Sequence, residues 1–192
     1  MSYNTESIKE KLKKRLKPQH YEHSLRTAET AAQMARAFGM DDEKAYIAGL
    51  LHDYAKSMDG EELISQAEKL GIKVDPVDIA FPYLLHAQVG ARLVELELNI
   101  KNKEIIASIA NHTIGSPSMS QFDKIIYVAD MIEPGRSYQG LGALRRIAFD
   151  DLDEVFREAY AHSLMYIIDS RKLIHPLTVD VWNRLVVLQQ NG

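Results

Sequence analysis

Apolar residues recur along this chain at intervals of three and four, the spacing of one helix face, and almost nowhere at intervals of two. Ile8, Leu12 and Leu16 stand four apart and predict a lysine-rich first helix over residues 5–16. Pro18 suits the first turn of a second helix, which carries Leu25, Ala28, Ala32 and Ala35 on one face and stops near Phe38 at Gly39. Asp41 is the expected N-cap of a third, with Asp42 and Glu43 in its first turn. A short helix over 60–70 ends at Gly71, and Pro76 and Pro82 make 72–82 a loop or a brief helical turn. Helical spacing returns over 83–98 and again from Lys103 to His112. Ser120 and Asp123 have the spacing of a capping box for FDKIIYVADMI, which Pro134-Gly135 ends. Gln139 to Gly142 reads as a glycine-containing loop, Asp150 to Asp153 as the acidic first turn of a helix reaching about Ser170, and helix restarts after Pro176. No repeat or convincing strand alternation is present, so the expected class is all-α.

One stretch breaks the amphipathic pattern. Ala45 to Lys56, AYIAGLLHDYAK, is apolar nearly all round and predicts a buried helix, yet it ends in the doublet His52-Asp53. Burying an imidazole beside a carboxylate costs several kcal/mol in order of magnitude unless something pairs with both. A metal ion suits both donors; a local cap at the helix end is the other reading.

Composition narrows the setting. An apolar fraction of 46% and a charged fraction of 26% are ordinary for a globular domain, and 192 residues can bury a sizeable core. With 23 basic and 27 acidic residues the net charge is −4, so no overall basic field is available to track a nucleic-acid polymer. The absence of cysteine excludes disulfides and thiolate metal sites. MSYNTESIKEKLKKRLK lacks the apolar core of a signal peptide, and no apolar run approaches the ~20 residues that span a bilayer. A cytoplasmic protein without membrane partners is expected. Apolar residues taken as surface, such as Trp182, permit a homodimer.

Further polar groups recur in apolar settings. His23 begins an apolar-faced helix, His86 follows Tyr83-Leu84-Leu85, His112 ends IIASIANH and Asp130 interrupts IIYVADMI. Taken singly, the two later histidines read as helix-end residues favoured by the dipole, and Asp130 as a buried carboxylate held by Arg136 or Arg145. Together they are inward donors on successive helices, the way metal sites are built inside bundles.

The order His23, His52-Asp53, Asp130 resembles the signature of the HD-domain metal-dependent phosphohydrolases. YEHSLRTAETA, AGLLHDYAKSM, LLHAQVGA, IANHTIGSPSMSQFDKIIYVADMIEPGR and LIHPLT are more specifically similar to the bacterial YqeK-type symmetrical dinucleoside tetraphosphatases. The resemblance implies a single HD-domain helical bundle over 1–192, with a metal core at about 20–135 and C-terminal helices over 143–190 completing a nucleotide pocket. It implies that His23, His52, Asp53 and Asp130 hold a first metal, and that Asp53 bridges to a second held by His86 and His112. Imidazole and carboxylate without thiolate suit iron, which is favoured, or manganese, zinc, nickel or cobalt, as one or two ions. The implied reaction is cleavage of diadenosine tetraphosphate or related dinucleoside polyphosphates into two ADP, by attack of metal-activated hydroxide on a phosphate.

Asp53, Lys56, His86 and His112 are the expected catalytic groups. Substrate contacts are expected from His20, Asp53, Tyr54, Ala55, Lys56, His86, His112, Thr113 and Arg136, and from Leu173, Ile174, His175, Pro176, Leu177 and Thr178 around the nucleoside. Lys56 lies nearly on the face of Asp53 if the helix persists and can hold a phosphate; otherwise it is a surface lysine. Arg136 can clamp a phosphate bidentately or pair with Glu133 or Asp150. His175-Pro176 can pack a base or simply turn the chain. His20 departs from the pattern, since relatives often carry arginine there and histidine is fully charged only when protonated. Other HD nucleotidases or phosphodiesterases are the nearest alternative. An alarmone hydrolase fits less well, because that group resembles HD-x-x-E-D where this chain has His52-Asp53-Tyr54-Ala55-Lys56. An oxygen-activating di-iron enzyme and a non-catalytic nucleotide-binding module also share the ligand pattern.

Overall fold

The structure, a computed structural model, describes residues 3–190, so the two outermost residues at each end of the 1–192 span lie outside the described residues. Every helix that the spacing predicts is present, and no strand occurs among the described residues. In chain order they are α1 (Thr5–Arg15), α2 (Pro18–Ala37), α3 (Asp42–Leu51), α4 (Gly60–Lys69), α5 (Pro76–Ala80), a 3-10 turn (Pro82–Leu85), α6 (His86–Glu97), α7 (Lys103–Asn111), α8 (Gln121–Ile132), α9 (Leu141–Ile147), α10 (Leu152–Asp169) and α11 (Pro176–Gln190). The start signals act as expected. Asp41 accepts from the Lys44 N–H, and Ser120 and Asp123 form a reciprocal capping box. Gly39 and Gly71 take the left-handed conformation that terminates α2 and α4.

α3 is the centre of the bundle. Ala45, Ile47, Ala48, Leu50 and Leu51 are fully buried, each larger side chain contributing roughly 1.5–3 kcal/mol of hydrophobic stabilisation. α2 lies along it so closely that a Cβ added at Gly49 would stand 2.9 Å from the Ala28 Cα. α8 and α7 close the other sides, and α10 packs on α8 through Tyr127 and Phe156, whose rings meet edge to face at 5.2 Å. The Tyr160 hydroxyl donates to the Ile114 carbonyl at 2.7 Å and reaches the Thr178 carbonyl at 3.4 Å, tying α10 and the start of α11 to the loop after α7. No helix among the described residues is long and apolar enough to cross a membrane.

Three expectations need correction. The apolar run from Ala45 to Lys56 is not one helix: α3 stops at Leu51, and residues 52–58 continue in tight turns whose amides bond three residues back. The His52 ring takes the Gly49 carbonyl at 2.7 Å and so competes with the helical ladder there. α9 occupies part of a region read as loop, because its two glycines, Gly140 and Gly142, lie at and just inside its N-terminus. Trp182 is half-buried and packed against the core rather than standing fully on the surface.

The close approach at Gly49 yields a test of the packing. Gly49→Ala should lower stability by about 1–3 kcal/mol, read as a lower urea midpoint. An unchanged midpoint would mean that α2 and α3 separate freely.

Candidate metal and phosphate centre

Four imidazoles reach the same interior point, three of them by one local device. His52, His86 and His112 sit at helix ends, and each donates its Nδ1 hydrogen to the carbonyl three residues back: Gly49 at 2.7 Å, Tyr83 at 2.5 Å and Ile109 at 2.7 Å. His23, in the first half of α2, gives its Nδ1 hydrogen instead to Glu133 Oε1 at 3.0 Å. With Nδ1 committed, every Nε2 lone pair faces inward.

Those nitrogens form two pairs around Asp53. His23 Nε2 and His52 Nε2 are 3.2 Å apart, and His86 Nε2 and His112 Nε2 are 3.1 Å apart. Asp53 Oδ2 faces the first pair, 3.4 Å from His52 and 3.9 Å from His23. Its Oδ1 faces the second, 3.2 Å from His86 and 3.5 Å from His112. Asp130 Oδ1 completes the first group at 2.8 Å from His23 and 3.7 Å from His52. Ligands about 2.1 Å from a common ion stand roughly 3.0–3.4 Å from each other, so this spacing is that of a coordination shell. Asp53 Oδ1 is buried with no well-aligned hydrogen bond, having only the Lys56 ammonium at 3.1 Å and the imidazoles around it, and a metal ion would complete its contacts. Two donor groups, His23-His52-Asp130 and His52-Asp53-His112, are each compact enough to hold an ion.

Charge distribution favours the same occupant. Burial alone would push the Asp53 carboxyl up, but the His52 and Lys56 charges and imidazole hydrogen bonds hold it well below the usual carboxylate range. The Asp130 carboxyl is likewise held down against burial by His23, His52 and Arg136. Burial, then the Lys56 charge, pushes His86 down to about 4, and burial lowers His112 as well. Both imidazoles therefore stay neutral, the form that ligates metal. His52 moves the other way, since Asp53 and Asp130 overcome its burial. A proton there is what an arriving ion would displace.

Around the centre lies a cavity of about 480 Å³, lined among others by His20, Lys56, Thr113 and Arg136. Lys56 Nζ stands 3.1 Å from both Asp53 Oδ1 and His86 Nε2 and 4.5 Å from the Tyr83 ring centroid, so it is not a surface residue. Arg136 Nη2 pairs closely with Asp130 Oδ1 while its Nε donates to the Asp130 carbonyl at 2.9 Å. Asp130 is thus the partner expected for it, Glu133 Oε1 stands farther off at 4.0 Å, and Asp150 makes no pair with it among the described residues. The Thr113 hydroxyl lies 3.1 Å from His112 Nε2 and 3.3 Å from His86 Nε2. His20 Nδ1 is buried without a partner.

A second, mostly apolar cavity of about 430 Å³ adjoins the first, sharing Tyr83 and Thr113 with it. Leu173, His175 and Thr178 line it, together with Phe81 and Tyr166. Other expected contacts do not line either cavity. Tyr54 turns away, its hydroxyl donating to Glu97 at 2.7 Å with Arg15 stacked 4.1 Å over its ring, and Ala55 is buried against Gly90. Ile174 and Pro176 fall outside the lining, and Leu177 lines a different cavity beyond Ile114. The turn after Leu51 and the start of α11 at Pro176 change the direction of the chain at these residues.

Glu133 and Arg26 escaped the sequence reading. Glu133 is 1% exposed, and its carboxylate orients His23 with one oxygen while accepting from Arg26 Nε at 2.6 Å and the Gly135 N–H at 2.5 Å with the other. Burial would raise its carboxyl, but Arg26, His23 and the Gly135 amide hold it below the usual range. A carboxylate three residues after Asp130, followed by Pro-Gly, was the available signal. Any side chain at Gly135 would collide with the Arg26 guanidinium.

The HD-domain family profile matches residues 20–135. The chain belongs to the HD-domain family. This HD-domain chain is 33% identical over 181 residues to the symmetrical bis(5'-nucleosyl)-tetraphosphatase of Halalkalibacterium halodurans, covering 93% of this chain and 95% of the relative. It is 34% identical to the protein of the same name from Bacillus subtilis, covering 91% and 94%. A solved chain from Clostridium acetobutylicum, described as a predicted HD superfamily hydrolase involved in NAD metabolism, superposes with a TM-score of 0.92 at 35% identity, over 97% of this chain and 99% of that one. Membership of the HD domain implies dependence on a divalent metal, and the His/Asp cluster can bind one.

Glu133→Gln keeps the shape of the residue but weakens the grip on His23. It should reduce metal affinity roughly 10–100-fold without loss of helical circular dichroism, measured by competition with a chromogenic chelator. Wild-type affinity in that variant would remove Glu133 from the site.

Proposed function

We propose that the chain hydrolyses diadenosine tetraphosphate, and dinucleoside tetraphosphates generally, at the central anhydride to give two nucleoside diphosphates. Symmetrical tetraphosphatase is what the printed name of the Halalkalibacterium and Bacillus relatives says of them. The observation that carries the reading is the two-sided environment of Asp53. One oxygen faces His23 and His52, the other faces His86, His112 and Lys56, and a cavity opens directly over them.

Water adds to one of the two inner phosphorus atoms, the bond from that phosphorus to the bridging oxygen breaks, and each product leaves with two phosphates. His23, His52, Asp53 and Asp130 would hold a first ion, and Asp53, His86 and His112 a second. Iron is the favoured occupant of this nitrogen and oxygen donor set, with manganese, zinc, nickel and cobalt as alternatives. When bound, such ions supply Lewis acidity and bring the ionisation of water near neutral pH. The chain's own groups bind and orient the polyphosphate. Lys56 offers a compact charge on the side of the apolar cavity, while Arg136 offers a planar donor set on the side of Asp130. Thr113 adds a hydroxyl between them, and His20 lines the cavity as a donor whose charge burial suppresses. Leu173, His175 and Thr178 then cover one nucleoside, which assigns the C-terminal helices a part in the nucleotide pocket.

Metal-loaded protein given diadenosine tetraphosphate should release ADP as the sole nucleotide, followed by ion-pair chromatography. ATP and AMP in equal amounts would overturn the central cut. Asp53→Ala should lose both turnover and bound metal while keeping its helical circular dichroism; an active variant would contradict the bridging role. Lys56→Ala should raise KM roughly ten- to hundredfold, the loss expected for one charge-assisted hydrogen bond. Unchanged kinetics would exclude a phosphate contact.

A further inference from the structure

A dinucleoside substrate cut at its centre presents two identical nucleosides to the enzyme, one on either side of the reacting phosphates. The apolar cavity beside Tyr83 accounts for one. An adjoining face of α10 carries another cavity of nearly equal size, about 440 Å³ against about 430 Å³. It lies between the loop Tyr138-Gln139-Gly140 and the face of α10 that presents His162, Met165 and Asp169. Tyr166 stands between the two cavities and lines both, held by Lys172, whose Nζ donates to its hydroxyl at 3.0 Å.

The second cavity shares no lining residue with the metal and phosphate centre and is linked to it through Met131 and Ser163. Met131 and Ser163 line the central cavity; the Tyr138 hydroxyl donates to the Met131 carbonyl at 3.0 Å, and His162 is the neighbour of Ser163. Its wall is exposed at Gln139, Gly140, Met165, Tyr166 and Asp169 and is built around one ring. The His162 ring packs against Tyr138 with centroids 4.7 Å apart and donates from Nε2 to the Gln139 carbonyl at 2.8 Å. Gly140 has φ +90°, and a Cβ there would lie 3.4 Å from the His162 ring, so this loop can close on the ring only with glycine at that position.

The two sides also match in kind. Lys56 pairs with Asp53 and lies over Tyr83 at the entrance to the first cavity. Arg136 pairs with Asp130 and lines the central cavity, two residues before Tyr138 of the second. Met165 and Tyr166 are 55% and 57% exposed, an apolar surface on which a base can lie. Asp169 is exposed at the rim without an ion-pair partner among the described residues, a ready acceptor for ribose hydroxyls.

The geometry points to a second nucleoside subsite in the cavity between Tyr138-Gly140 and α10, taking the half of the dinucleotide that the first cavity leaves uncovered. This rests on the central-cut reading and extends it: two flanking subsites register the polyphosphate so that its middle anhydride lies over Asp53.

The test uses metal-loaded protein and compares KM for diadenosine tetraphosphate with the competitive inhibition constant of ADP, which carries one nucleoside and occupies the first cavity. The double variant Met165→Ala/Asp169→Ala removes exposed side chains only. Its KM should rise about tenfold or more, the loss of one base contact, while the ADP constant stays at its wild-type value. Leu173→Ala, in the first cavity, should raise both. An unchanged KM in the double variant, or a KM and ADP constant that rise together, would overturn the second subsite while leaving the reaction intact. Wild-type protein that leaves the dinucleotide uncut would sink the reaction and this subsite with it.

Discussion

Lone pairs that face one another in a buried place repel, and this structure points four imidazole nitrogens and two carboxylates at one another. His23 and His52 approach to 3.2 Å, and His86 and His112 to 3.1 Å; the neutral His86 and His112 rings have no hydrogen left on Nε2, while His52, between Asp53 and Asp130, favours the protonated form that a cation would replace. Positive charge stands among them as Lys56, Arg136 and a proton on His52, a metal ion would take the proton's place, and the rest of the architecture serves that requirement. α3 can end in His52-Asp53 deep in the core because the charge compensates both. α2 lies close enough to α3, through Gly49, to bring His23 within reach. Glu133, neutralised by Arg26, fixes the direction of His23 without adding net charge to the centre.

Much of this was legible in the sequence because it depends on local signals. Asp41, Ser120, Gly39 and Gly71 mark helix ends by their own chemistry, and each does so here. The ligand set was legible because imidazoles and carboxylates stand out in apolar runs. Side-chain direction was not. Tyr54 and Ala55 are adjacent to Asp53, but after α3 the chain turns sharply and aims them at Glu97 and Gly90. Glu133 sits in a Pro-Gly segment that looks like an exposed turn, and only the fold of α8 against α2 buries it. The Arg136–Asp130 pair, by contrast, was legible, because a carboxylate inside an apolar helix needs a cation and Arg136 follows six residues on.

The division of labour follows from where each kind of residue lies. The tightly packed helices α2, α3, α6, α7 and α8 supply the donors and hold them rigidly, as a metal centre requires. The more exposed segments, the 3-10 turn with Tyr83, the loop through Tyr138 and the helices α10 and α11, shape the cavities beside it. Rigid chemistry and adaptable recognition thus come from different parts of one helical fold, a common arrangement for sites carried on a stable scaffold.

The central claim, that these side chains converge on a cation, is tested most directly by crystals of the metal-loaded protein measured at the absorption edge of the metal. An anomalous peak about 2.0–2.2 Å from His23 Nε2, His52 Nε2 and oxygens of Asp53 and Asp130 is the predicted result. A map without a peak there, or with the imidazoles swung apart around water, would contradict it.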